Sequence, residues 1–200
     1  MIAIEPDETN QSILRERFVK FRLAQRPLVI IGKALSDKDA VETMWIDGPG
    51  SAVNTLSQKW AITLKEDKAR HKYGHCGLDF TRQKTVETTT LEQLIVLYGM
   101  PTFIKIDVEG YEFKVLQGLR HPVPNLSFEV NLPEFRSEGQ QCVEFLGKLE
   151  ATGRFNYAVD CEKGLALERW LSADEFLPVL EQCANESIEV FWKGLTRETA

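Results

Sequence analysis

The constraint that narrows this chain most is an alternation. Apolar runs of strand length are followed, after short links, by stretches with helical spacing, and several runs end on an acid. The stretch "TFIKIDVEGYEF", residues 102–113, shows the pattern most densely. Phe103, Ile104 and Ile106 form the run, and Asp107, Glu109 and Glu112 come within the next six positions. Strands at residues 1–4, 28–31, 43–46, 102–108, 126–130, 155–159 and 187–192 are expected from such runs. Helices are expected after residue 7, from the Thr90 cap to Tyr98, over 111–119, over 140–152 and from the Ser172 cap onward. Thr90 and Ser172 each precede Gln93 or Glu175 by three residues, the capping-box spacing. Val115, Leu116 and Leu119 share one helical face, as do Leu14, Phe18 and Phe21. Residues 51–85 carry no clean period and read as loop-rich, with one short strand over Trp60–Leu64. Alternating strands and helices with short links predict an α/β fold with a mostly parallel sheet covered on both faces.

Composition removes some partners. The formal charge is −6 over 200 residues, without the basic face that nucleic acid requires. No apolar run is long enough to span a bilayer, and no secretory signal opens the sequence, so a cytoplasmic location is expected. The four cysteines, at 76, 142, 161 and 183, show no CxxC or zinc spacing and read as reduced packing residues. The sequons at Asn10, Asn125 and Asn185 carry no weight without an export signal. His71, His75 and Cys76 are spaced as a metal pair would be, but Gly74 argues against the helix they would need. Asp47-Gly48-Pro49-Gly50 reads as a turn between two strands, since Pro49 lacks the N–H a phosphate cradle uses.

The acids at strand ends are the candidates for chemistry, because open α/β sheets bind ligands at the carboxyl ends of their strands. Glu5, held by Pro6, could accept hydrogen bonds from a ribose diol, or it could simply favour the start of the next helix. Asp107 directly succeeds an apolar strand and is expected to be partly desolvated, a placement that favours function. Gly110 allows a sharp turn. Glu129 and Asn131 end the following strand.

Taken together, "IAIEPDETNQSILRERF", "VIIGKALSD", "VETTTLEQL", "FIKIDVEGYEFKVLQGL", "LSFEVN" and "IEVFWK" resemble the FkbM family of S-adenosylmethionine-dependent methyltransferases, from Ile2 to about Lys193. The resemblance implies a class I, Rossmann-like methyltransferase fold in a single domain over residues 1–200. It implies S-adenosyl-L-methionine as cofactor and a small hydroxylated acceptor such as a sugar, lipid or secondary metabolite; no metal is assigned, although Asp107, Glu129 and Asn131 could offer oxygens to one Mg²⁺. By the same resemblance Glu5 and Pro6 hold the cofactor ribose, and Ala34, Leu35 and Ser36 line the adenine. Asp107 lies by the methionine end and the acceptor, and Glu109, Glu129 and Asn131 rim the acceptor pocket; Asp107 is the expected catalytic base, with Glu109 or Glu129 next. Members of the family carry a first strand and helix with a glycine-rich turn of the "DVGANIG" type before the segment that opens this sequence, so the domain reads as N-terminally incomplete. The strands at residues 2–4 and 103–106 are then expected to pair directly or to stand apart with a gap. Two other readings compete: an inactive remnant serving as an interaction module, and a metal-dependent glycosyltransferase holding its ion on Asp107 and Glu109.

Overall fold

The computed structural model describes residues 1–21, 27–66, 78–159, 163–184 and 187–194. The chain divides into two compact units, Met1–Thr89 and Thr90–Ala200.

In the first unit, strand β1 (Ile2–Ile4) pairs in parallel with β2 (Val29–Ile31), Ala3 opposite Ile30. Helix α1 (Glu8–Lys20) lies between them in sequence. Its start is fixed by Asp7, whose carboxylate accepts the N–H groups of Thr9 and Asn10 at 2.8 and 3.1 Å. Leu14 and Phe18 are half-buried on the expected face, whereas Phe21 is exposed. A second sheet has the order β3 (Ala34–Leu35), β5 (Arg82–Thr89), β4 (Val41–Ile46). The β3–β5 ladder is parallel and the β4–β5 ladder antiparallel. Ala34, Met44 and Val86 form its small core, with Ile46 and Leu56 packed against it.

Two expectations fail in this unit. Trp60–Leu64 is no strand: it lies within helix α2 (Gln58–Glu66), which buries Trp60, Ala61 and Leu64. Those residues sit at i, i+1 and i+4, one helical face, and the Ser57 hydroxyl accepts the Trp60 N–H at 3.2 Å as the cap. The turn at Asp47–Gly50 likewise does not link two full strands. It closes on a single antiparallel bridge between Trp45 and Thr55 before the chain enters α2.

The second unit comprises α3 (Leu91–Tyr98), β6 (Ile104–Ile106), α4 (Glu112–Gln117), β7 (Asn125–Asn131), α5 (Arg136–Leu149), β8 (Arg154–Ala158), α6 (Ala173–Gln182) and β9 (Ser187–Lys193). The strand order is β6-β7-β9-β8. The β6–β7 ladder is parallel and both β9 ladders are antiparallel, so β6, β7 and β8 run one way and β9 alone runs back. Among the described residues β1 has β2 as its partner and β6 has β7, and each keeps one edge without a strand neighbour.

Alternation along these strands separates two faces. Ile106, Leu126, Phe128, Val130, Val190 and Trp192 are buried on one. Around them pack α4, α5 and α6, with Val115, Leu116 and Leu119 inward as their spacing predicts and Phe176 stacked on Phe155 at 5.6 Å. Thr90 and Ser172 cap α3 and α6 as expected, Ser172 with the reciprocal Glu175 bond.

The end of α6 is held from outside. Arg136, opening α5, donates to the carbonyls of Leu180, Glu181 and Cys183 at 2.5, 2.7 and 2.8 Å. A guanidinium there satisfies orphan carbonyls and meets the negative end of the helix dipole. Arg136→Met should retain the packing of the stem and lose about 1–3 kcal/mol of stability, read as a lower urea midpoint with an unchanged slope. An unchanged midpoint would show that the clamp adds nothing.

Candidate functional site

The parallel register sets the second unit's polar cluster. Ile106 lies opposite Phe128, so the next residues, Asp107 and Glu129, fall side by side past the end of β6. Period-two alternation places Lys105 and Asp107 on the sheet face opposite the core, with Glu129, Asn131, Ser187 and Glu189. Glu129 and Glu189 are directly paired across β7 and β9. Glu109 then turns back toward the sheet. Its backbone takes φ 56° and Gly110 comes next at φ 82°, two successive left-handed residues. The outcome is a triad: one carboxylate oxygen each from Asp107, Glu109 and Glu129 lies within 4.8 Å of the other two.

The charge balance at this strand end is strongly negative. Lys105 Nζ reaches Glu189 at 2.5 Å and Asp107 at 3.6 Å. Burial opposes the ammonium, but the Glu189 hydrogen bond and the charges of Asp107, Glu189 and Glu129 outweigh it and raise its pKa. Glu129 is fixed by the Ser187 hydroxyl at 2.7 Å and by Asn131 Nδ2 at 3.3 Å. Three carboxylates, those of Asp107, Glu129 and Glu189, thus act on the Lys105 ammonium, a setting that favours positive charge. The triad is also the set of described residues that could hold a divalent ion.

One expectation about this cluster is corrected. Asp107 is not desolvated: its side chain is 53% exposed, because β6 is short and ends at Ile106. The buried acid is Glu112, 6% exposed in the first turn of α4. Burial pushes its carboxyl up to about 8, against the lowering effect of backbone N–H bonds including those of Gly110 and Val108. Sequence reasoning missed Glu112 although a signal was present. Residues 112, 115, 116 and 119 stand at i, i+3, i+4 and i+7, so the acid lies on the stripe that Val115, Leu116 and Leu119 turn inward. Lys105 and Glu189 were also passed over, though each sits mid-strand between apolar neighbours that face the other way.

In the first unit, Glu5 comes directly after β1 and is half-buried. Its pKa is raised, first by burial; the Asp7 N–H bond lowers it, the Asp7 charge raises it and Asn10 lowers it. Its Oε1 accepts the Asp7 N–H at 2.7 Å, and its carbonyl accepts from Gln11 Nε2 at 2.9 Å. The carboxyl thus also ties the Pro6 turn into α1. Ala34 is committed to the small core, and the buried Ser36 hydroxyl bonds the Glu42 carboxylate at 2.6 Å. Leu35, between them, is half-buried. Cys142 and Cys183 are buried thiols, not disulfides, and burial first of all pushes the Cys142 thiol up, so it behaves as packing. His71, His75 and Cys76 lie outside the described residues, as do Cys161 and Asn185. Among the described residues no helix is long and apolar enough to cross a membrane.

Compared with known proteins, residues 1–171 match the family model described as the methyltransferase FkbM domain. No curated protein and no solved structure matches.

The raised Glu112 pKa gives stability a definite pH dependence. Between about pH 4.5 and 8 the folded state keeps a proton that the unfolded state has lost. Stability is therefore expected to fall as pH rises through that window. Glu112→Gln should flatten this dependence selectively; an identical pH profile in the variant would count against the assignment.

Proposed function

Since the chain belongs to the FkbM methyltransferase family, we propose that it transfers the methyl group of S-adenosyl-L-methionine to a hydroxyl oxygen of a sugar, lipid or secondary metabolite. The observation that carries this reading is the Asp107–Glu109–Glu129 triad at a strand end, one carboxylate oxygen of each lying within 4.8 Å of the others. In this proposal residues 1–200 act as one partial Rossmann-like domain. The shared direction of β6, β7 and β8 supports it, because mostly parallel sheets with one reversed strand are common in doubly wound folds.

When bound, adenosylmethionine supplies an electrophilic methyl carbon on a positively charged sulfur. In the second unit the acidic cluster would favour the positive charge of such a group; in the first unit Glu5 would offer a carboxyl to a ribose diol, with Pro6, Ala34, Leu35 and Ser36 as the expected adenosine contacts. Asp107 would take the acceptor's hydroxyl proton as general base. Its exposure suits that role, since it must reach a bound molecule and then release the proton to water. Glu109 supports Asp107, and Glu129 with Asn131 orients the acceptor. Alignment can supply about 7–11 kcal/mol of the barrier, and a positioned base adds a factor of about 10²–10⁴.

The triad also favours a second reading, in which Asp107, Glu109 and Glu129, with Asn131 nearby, would hold a divalent cation that would lower the acceptor's pKa. Chelation would abolish turnover in that case and leave it unchanged in the first. The glycosyltransferase reading gains nothing from the family match.

The test is transfer of a radiolabelled methyl group from adenosylmethionine to a panel of methyl glycosides, glycerol and macrolide diols. Asp107→Asn should lower kcat by about 10²–10⁴ and change the Kd for adenosylmethionine little. Unchanged turnover would remove Asp107 as base. No binding of adenosylmethionine by folded, monodisperse protein would favour the interaction-module reading.

A further inference from the structure

The turn that carries Asp107 and Glu109 is an unusual piece of backbone. Glu109 is the non-glycine residue with positive φ among the described residues, at 56°, and such a conformation persists where something outside the residue holds it. Two N–H groups flank it, those of Val108 and Gly110. Both point to the same atom: Glu112 Oε1 accepts from Val108 at 3.4 Å and from Gly110 at 3.2 Å. Convergent N–H groups two residues apart form a concave nest that suits an oxygen acceptor. Here the acceptor is supplied by the chain itself, from the first turn of the next helix.

The placement of Glu112 is costly in itself. It occupies an inward position on α4, beside Val115 and Leu116, where an apolar side chain would fill the space without desolvating a carboxyl. A packing role does not explain an acid there; the two bonds to the turn do.

We propose that Glu112 is a positioning residue, whose buried carboxyl oxygen locks the Val108–Gly110 turn and thereby sets Asp107 and Glu109 against Glu129. As far as catalysis is concerned, this rests on the methyl-transfer reading above; the lock itself does not. Its raised pKa is consistent with a neutral acceptor, which glutamine reproduces.

Two variants separate a lock from a filler. Glu112→Leu occupies the same space with no acceptor, and Glu112→Gln keeps an acceptor oxygen. Amide hydrogen exchange in the full chain is expected to quicken about tenfold at Val108 and Gly110 in E112L, with Phe128 and Val190 in the core ladder unchanged. In E112Q all four amides should match the wild type. With the acceptor panel, kcat should fall at least about tenfold in E112L and recover in E112Q, with the adenosylmethionine Kd steady in both. Wild-type exchange at Val108 and Gly110 in E112L, or equal acceleration in both variants, would overturn the proposal. Should E112L fail to fold, Glu112→Met serves as the variant without an acceptor: faster exchange at Val108 and Gly110 than in E112Q supports the lock, and wild-type exchange there refutes it. A wild-type protein that transfers no methyl group refutes the methyl-transfer reading alone, because the exchange comparison stands without turnover.

Discussion

The three-residue parallel ladder between β6 and β7 is the constraint on which the candidate site rests. Ile104, Lys105 and Ile106 stand opposite Leu126, Ser127 and Phe128. That register is held from the apolar side, where Ile106, Leu126 and Phe128 are all buried. A slip of one residue would bring Lys105 into the core and turn Ile106 to the polar face, so burial leaves no nearby alternative. With the register fixed, the first residue beyond the short strand has to stand beside Glu129. The carboxylate pair is therefore a by-product of hydrophobic packing one layer away.

The turn beyond the strand is less robust and more specific. Backbone in the left-handed region brings Glu109 back over the sheet, and the chain holds that conformation with a carboxyl from α4. Lys105 offsets part of the charge from below. The remaining negative charge is what a sulfonium or metal cation would find favourable, and the same feature makes the cluster costly when nothing occupies it.

Much of this is legible in the sequence, and the failures have physical reasons. Strands with alternating apolar residues, such as those at Leu126 and Ile188, are readable because one deeply covered face demands an apolar residue at every second position. Capped helices at Thr90 and Ser172 are readable because capping is a local, chemical signal. The helix at Gln58–Glu66 escapes because three buried residues in nine make a weak period, and its Ser57 cap has no acid at the matching position. Asp107 and Glu129 are legible as strand-end acids, but their exposure is not: how far a strand extends depends on ladder partners that the sequence does not print. Glu112 is the reverse case, a residue whose i, i+3, i+4, i+7 place on an apolar stripe announces its burial and is overlooked because its side chain is charged.

If the strand-end cluster of the second unit meets the methyl donor, binding must register on its backbone. Isotope-labelled protein titrated with adenosylmethionine and monitored through backbone amide shifts reads this out. Saturable movement is expected at Val108, Gly110 and Glu129, with the core ladder at Phe128 and Val190 still. Saturable binding that moves other amides and leaves Val108, Gly110 and Glu129 in place would place the donor elsewhere and refute the role assigned to the cluster.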